Sequence, residues 1–320
     1  MTQDNVLYTV ENVPYGGSAS YVGAEPTKLG VDNPDDYKFT GWSPLPEKIQ
    51  GETYCFALFR YKAYLFGKLA DPEKEEVDQG YGTVDEPNWD AINSHWTQIS
   101  NDVNAYKNNE ITEDTFKSKY PIGGRMPIPV TLDNTESVID IEIIEYNHDN
   151  LADNSGQAML TFFCQSLPDI YRRMGADNVG GWQDSEMREF VNGELFNSLP
   201  VELQSAIKPV IKISDGGESS KTLVYTEDKC WLASYAEVGF ISIREVLEGQ
   251  GEVYESTFSS DKKTRVKYLS DGHTAYGWWL RSSSYSLSGS STLFCRVQSS
   301  GILYSDIETG NWPVVFGFCI

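Results

Sequence analysis

The chain has 320 residues, enough to bury a sizeable core and to hold two domains. Its 47 acidic against 25 basic residues give a formal charge of −22, so its overall field repels a phosphate backbone or an anionic bilayer. Neither a nucleic-acid partner nor membrane insertion is expected, because no apolar run approaches the length of a membrane span. Met1-Thr-Gln-Asp-Asn lacks the basic and apolar segments of a secretion signal, which points to cytoplasmic synthesis.

Five cysteines, Cys55, Cys164, Cys230, Cys295 and Cys319, stand far apart in apolar runs without CxxC spacing. They read as buried free thiols, and no metal or cofactor is expected.

Residues 1–60 read as a small β-rich module, with Val6–Val10, Tyr37–Trp42 and Thr53–Phe59 as strands and a turn at Pro14-Tyr-Gly-Gly. The 61–119 segment reads as an acidic linker followed by an amphipathic helix. In that helix Trp89, Ile92, Trp96, Ile99, Val103 and Tyr106 recur three and four apart, a stripe expected to pack on its own domain.

From residue 120 onward the pattern is that of an α+β domain. Strands are expected over Ile122–Thr131, Ser137–Tyr146 and Met159–Cys164. Asp184 is expected to cap a helix that stops at Asn192-Gly193, and Pro200 to open a second one. Val210–Ile213 and Cys230–Leu232 are further strands, and Ser234 with Glu237 has the spacing of a capping box that starts a short helix. The last strands are Gly277–Leu280, Leu293–Val297 and Val314–Ile320, each nearly continuous in apolar residues and so expected to be covered on both faces.

Between these last strands lie two polar connections, 282–292 and 298–312. Rich in Ser, Gly and Asn but carrying Tyr285, Tyr304 and Trp312, they have the composition of an antibody-like contact surface. Leu287, Ile302 and Leu303 add apolar area that a merely solvated loop does not need.

Two resemblances extend this reading. Val13-Pro-Tyr-Gly-Gly-Ser-Ala, Pro26-Thr with Gly30, Tyr37-Lys-Phe-Thr-Gly-Trp-Ser-Pro and Ile49-Gln-Gly-Glu-Thr resemble the Listeria-Bacteroides repeat, a β-grasp-like module similar to the internalin B-repeat. That likeness implies a spacer or adhesion module. Over residues 120–320, Glu145-Tyr-Asn-His-Asp, Gly181-Trp-Gln-Asp-Ser-Glu-Met-Arg-Glu-Phe-Val-Asn, Trp278-Trp-Leu-Arg-Ser and Val315-Phe-Gly-Phe-Cys-Ile resemble an uncharacterised family of gut phages, prophages and Firmicutes. The part from about 278 to 320 is similar to the variable region of diversity-generating retroelement target proteins, whose fold is the C-type lectin kind related to formylglycine-generating enzymes.

In such proteins adenine-containing codons are rewritten, so fixed and variable positions alternate. The resemblance implies a scaffold of Trp278, Trp279, Leu280, Arg281, Phe294, Cys295, Val297, Gly301, Phe316 and Cys319. It implies a ligand-contacting set of Tyr285, Leu287, Gly289, Ser290, Leu293, Arg296, Ile302, Leu303, Tyr304, Asp306, Glu308 and Asn311, joined by Trp312, which no adenine change in an Asn codon produces. It also implies a non-enzymatic phage tail protein that binds a protein or glycan receptor on a cell surface, beside other virion tail proteins, with homo-oligomerisation left open. A bacterial surface adhesin, a formylglycine-generating-type enzyme and a purely structural virion protein are the alternatives.

Other signals weigh less. Glu86-Pro-Asn matches the triplet of calcium-dependent sugar-binding lectins but stands at a helix start. His148-Asp149 lacks a nucleophile motif and reads as a turn in which Asp149 bonds nearby backbone. Cys295 and Cys319 invite comparison with the paired thiols of formylglycine-generating enzymes but sit among strand-core residues, and Arg281 reads as a structural cation that stacks on Trp278 or pairs a buried carboxylate.

Overall fold

The computed structural model describes residues 13–20, 37–43, 56–61, 88–217, 220, 222–240, 249–269, 274–284 and 293–320. The chain divides into two units, Met1–Lys62 with Asp271–His273, and Ala63–Ser270 with Thr274–Ile320.

In the smaller unit β1 (Tyr37–Ser43) pairs antiparallel with β2 (Phe56–Tyr61), with a register shift between Phe39 and Gly41. Pro14 to Gly17 form a turn closed by a 2.7 Å bond from the Gly17 amide to the Pro14 carbonyl. Gly16 supplies the positive φ of 74° that its third position demands. The strand expected at Val6–Val10 lies outside the described residues.

The larger unit is α+β, built of short helices and antiparallel sheets. Helix α1 (Trp89–Lys107) is opened by the Asn88 side chain, which accepts from the Ala91 amide, so the Asn of the Glu-Pro-Asn triplet is a helix cap. Its stripe of Ile92, Trp96, Ile99 and Val103 is buried in this unit's core, where Trp96 meets Phe162 at 5.5 Å and Phe318 at 5.9 Å. The helix placed with the linker therefore belongs to the larger unit. α2 (Glu113–Lys119) follows, capped by Thr112.

β3 (Arg125–Leu132) and β4 (Thr135–Tyr146) form a hairpin whose Asp133 and Asn134 both take positive φ, the pattern of a two-residue turn matched to strand twist. They continue through β5 (Leu160–Cys164) into a five-stranded sheet of order β3-β4-β5-β16-β9, in which the C-terminal strand β16 (Phe316–Cys319) lies between β5 and β9 (Cys230–Leu232). β6 (Tyr171–Arg172) pairs with β15 (Trp312–Pro313), and β7 (Val210–Asp215) pairs with β8 (Leu223–Asp228).

Three expectations about local structure are corrected. Ser185, not Asp184, caps α3 (Glu186–Phe190), accepting from the Arg188 amide at 3.1 Å. Asn192-Gly193 does not stop the helix, which widens into a π turn over Val191–Leu195 and runs on through α4 (Phe196–Ser198), because the Asn192 amide is engaged with Cys230 and Lys229 instead. α5 (Val201–Ala206) has Pro200 at its cap position. Ser234 and Glu237 do exchange the two capping-box bonds, at 2.9 and 3.1 Å, but no helix follows; residues 235–239 form a turn.

A 3-10 turn (Lys262–Arg265) precedes β10 (Lys267–Tyr268) and β11 (Ala275–Tyr276). A three-stranded antiparallel sheet then runs in the order β12 (Trp278–Ser284), β13 (Leu293–Val297), β14 (Leu303–Ile307). Ser282 to Ser284 are the buried end of β12 rather than the start of a connection. The 298–312 connection contains β14, paired residue by residue with β13, so its centre is a strand rather than a free loop, and its far end, Trp312, is held in β15.

Candidate functional site

One face of the β12-β13-β14 sheet, buried at Trp279 and Phe294, reaches solvent at its margin through Tyr304 and gathers the clearest constellation of side chains. Trp279, Arg296 and Tyr304 are paired in one row across the three strands, and paired residues of an antiparallel ladder share a face. The Arg296 guanidinium lies 3.9 Å from the Trp312 ring centre and 4.7 Å from that of Tyr304, and its Nε donates to Asp306 at 3.0 Å. Tyr276 adds a fourth member, 5.2 Å from Trp312. The result is a stack of Trp312, Arg296 and Tyr304 with Tyr276 tilted at 37° against Trp312, and its two end rings, Tyr276 and Tyr304, are exposed. Contact with two aromatic rings and an ion pair at Nε hold the guanidinium in one orientation.

The contacting set expected from sequence divides in this setting. Arg296, Tyr304, Asp306 and Trp312 meet in the stack, Ile302 and Asn311 are exposed, and Leu293 is half-buried. Leu303 turns to the other face of β14 and packs against the core. Glu308 is a correction: it is buried, and its carbonyl accepts from the amides of Met174 and Gly175, which anchors the turn after β14. Tyr285, Leu287, Gly289 and Ser290 lie outside the described residues. Tyr276 was not singled out in the sequence, where a lone Tyr ahead of Gly277 carries no signal.

The ten scaffold positions are all buried, from Trp278 to Cys319. Trp278 and Trp279 donate through their indole nitrogens to the carbonyls of Arg265 and Arg172. Gly301 has φ of 77°, and a Cβ there would meet the Lys262 carbonyl oxygen at 1.9 Å.

Behind the sheet lies a sealed charged network. Arg281 forks onto Glu237, and Glu237 also accepts from Lys212 at 3.2 Å; Lys212 in turn contacts Asp149. Tyr254 shares its hydroxyl with Lys212 and Asp149, Thr161 donates to Asp149 at 2.8 Å, and the Cys319 thiol stands 3.4 Å from the same carboxylate. Asp149 therefore bonds distant side chains rather than the nearby backbone expected of it. Burial pushes its carboxyl pKa up, but Lys212 and His148 outweigh that and hold it far below the usual range. Burial, reinforced by Asp149, pushes the Cys319 thiol well above its ordinary value, which keeps it protonated. Cys164, pushed to about 12 by burial, is inert for the same reason. Lys212 was legible in principle: in β7 it sits on the inward face with Val210 and Ser214, where a lysine needs partners.

The Gly181-Trp-Gln-Asp-Ser motif and its helix converge on one buried carboxylate. Asp228 accepts from Trp182 Nε1 at 2.9 Å, Arg188 Nε at 2.6 Å, Thr226 Oγ1 at 2.6 Å and Asn192 Nδ2 at 3.3 Å. An open groove of about 570 Å³ runs alongside. Its two cations are already committed, Arg188 to Asp228 and Lys229 over the Phe196 ring at 4.2 Å, so it presents no free anion-binding group. Among the described residues no group of three or more His, Cys, Asp or Glu side chains could hold a metal ion, and no helix is long and apolar enough to cross a membrane.

A family model described as a domain of unknown function, DUF6273, matches residues 155–313. The match takes in the Asp228 cluster and all three strands of the stacked sheet. No curated protein and no solved structure matches the chain.

Proposed function

We propose that this protein is a non-enzymatic receptor-binding protein whose contact surface is the β12-β13-β14 face and the connections at its rim. The observation that carries this reading is the Tyr276, Trp312, Arg296, Tyr304 stack. Rigid aromatic groups around an oriented guanidinium are the kind of anchor that dominates binding energy in a contact surface, because little side-chain entropy remains to be lost.

In the same reading the domain is of the C-type lectin kind, and positions such as Arg296, Tyr304 and Asp306 are rewritten by a retroelement while the buried frame stays fixed. Arg296, Tyr304 and Asp306 share one paired face beside buried frame residues, and this supports that division for those three positions. The setting that fits it is a phage tail tip, with a protein or glycan on a cell surface as target and other tail proteins as neighbours.

The test is at two levels. In the DNA, a near-copy of codons 282–312 that differs at adenines should stand beside a reverse-transcriptase gene; genomes carrying this gene with no such copy would sink the diversification. In the protein, Tyr304→Ala should fold normally and lose adsorption to a host strain that the unaltered protein coats. Undiminished adsorption would remove the stack from the contact surface.

A further inference from the structure

Lys212 and Asp149 meet in the core as a buried ion pair. Both belong to segments held side by side by backbone bonds: the Ile211 amide donates to Asn150 at 2.8 Å, the Ala152 amide to Pro209 at 3.0 Å, and Leu151 bridges Val210. The amine and carboxyl are thus fixed in contact by the fold itself, which removes most of the entropic barrier to their reaction. Lys212 is 1% exposed, Asp149 5% and Glu237 2%, so bulk water is excluded. The Trp231 ring centre is 3.4 Å from Lys212 Nζ, and Tyr254 stacks on Trp231.

We propose that Lys212 and Asp149 condense spontaneously to an intramolecular isopeptide bond, with Glu237 as the proton relay. Asp149 rests ionised against Lys212, and the step begins when a proton passes transiently from the ammonium to the carboxylate, giving a neutral amine and a neutral acid. The amine lone pair attacks the Asp149 carboxyl carbon, whose oxygens are polarised by the hydroxyls of Tyr254 and Thr161. Glu237, in contact with Lys212 Nζ, takes an N–H proton from the attacking nitrogen and returns it to the departing hydroxyl. A C–N bond forms, a C–O bond breaks, and the ammonium and carboxylate together become an amide and one water.

Electrostatics drive the step in the same direction. Before it, the site holds two anions and two cations away from solvent, Asp149 and Glu237 against Lys212 and Arg281. Afterwards only the forked Glu237–Arg281 pair remains charged, and the desolvation of two ions is relieved. The bond would staple the segment after β4 to β7 across 63 positions of sequence.

Intact mass of the full chain under denaturing conditions decides the matter. The unaltered protein, fresh or after prolonged incubation, should be lighter than its sequence by one water. Its tryptic map should show the Asp149 and Lys212 peptides joined, with no cleavage after Lys212. Lys212→Arg keeps the cation but cannot form this amide, and should show the full mass. An unaltered protein at full mass, or a lost water that persists in Lys212→Arg or maps to the Asp215-Gly216 or Asp271-Gly272 steps, where succinimide formation also sheds water, would overturn the proposal. If Lys212→Arg fails to fold, the mass and map of the unaltered protein still decide it.

Discussion

Arg281 and Glu237 form a two-pronged ion pair inside the core, with Arg281 Nη2 donating to Glu237 Oε1 at 2.8 Å and Nη1 donating to Oε2. The pair exists because β12 leaves its ladder between Trp279 and Ser283, and the Arg281 amide bonds Ala233 instead. Removing one member leaves the other charged and buried. Glu237→Ala should therefore cost about 3–5 kcal/mol in urea unfolding, whereas the joint change Glu237→Gln with Arg281→Met should cost distinctly less than the sum of its parts. Additive losses would show that the pair does not act as a unit.

Asp228 should behave similarly for a different reason. Its two oxygens satisfy Trp182, Arg188, Asn192 and Thr226, which come from three separate stretches of chain. Asp228→Ala orphans a buried indole N–H and hydroxyl and releases the guanidinium, so a loss of about 3 kcal/mol is expected, with Asp228→Asn intermediate. Thermal melts that rank Ala and Asn equally would mean that the neutral hydrogen-bonding group kept by Asn contributes nothing and that the charge carries the effect.

How far the sequence reveals this arrangement depends on whether a residue's role is local. The α1 stripe, the strands of the core sheet and the capping bonds of Ser234 follow from spacing alone. The roles of Asn192, Glu237 and Asp149 do not, because each has a tempting local reading as helix stop, helix start or turn. The partners that override those readings lie 38, 44 and 63 positions away. Strand β14 escapes for a related reason. Leu-Tyr-Ser-Asp-Ile is too polar to read as a strand, and only its ladder to β13 makes it one, half-buried. On the contact surface, the aromatic content of 298–312 is visible in the sequence, but the inward turn of Glu308 and the contribution of Tyr276 are tertiary facts.

The stack predicts a graded response. Tyr304 is 49% exposed at the end of the stack, so Tyr304→Ala should change stability by about 0.5 kcal/mol or less. Trp312→Ala removes a ring packed against the core, Tyr276 and Arg296 together, and about 2 kcal/mol is expected. A binding loss seen with Trp312→Ala is therefore ambiguous unless Tyr304→Ala, measured alongside by calorimetry, shows it without a shift in melting temperature. Equal destabilisation by both would place Tyr304 in the core rather than on a surface.

The acid response of the larger unit should be set in part by His95. Its pKa is lowered to about 4, first by burial and then by the nearby Lys119, against the opposing pull of Asp102. A histidine whose folded pKa lies below its unfolded value near 6.5 binds protons more readily when unfolded. The stability it supplies is present above about 6.5 and is lost as pH falls towards 4, amounting to about 3 kcal/mol over that window. While Asp149 is a free carboxylate, His148 acts in the opposite sense: burial lowers its pKa but Asp149 more than restores it, so the folded value is raised and its contribution fades as pH rises through that value, and an amide at Asp149 would remove it. The two are separable by subtraction. His95→Gln should flatten the fall in urea-unfolding free energy between pH 6.5 and 4 while leaving the His148 contribution in place. A variant curve parallel to that of the unaltered protein across this window would show that His95 does not govern the acid limb.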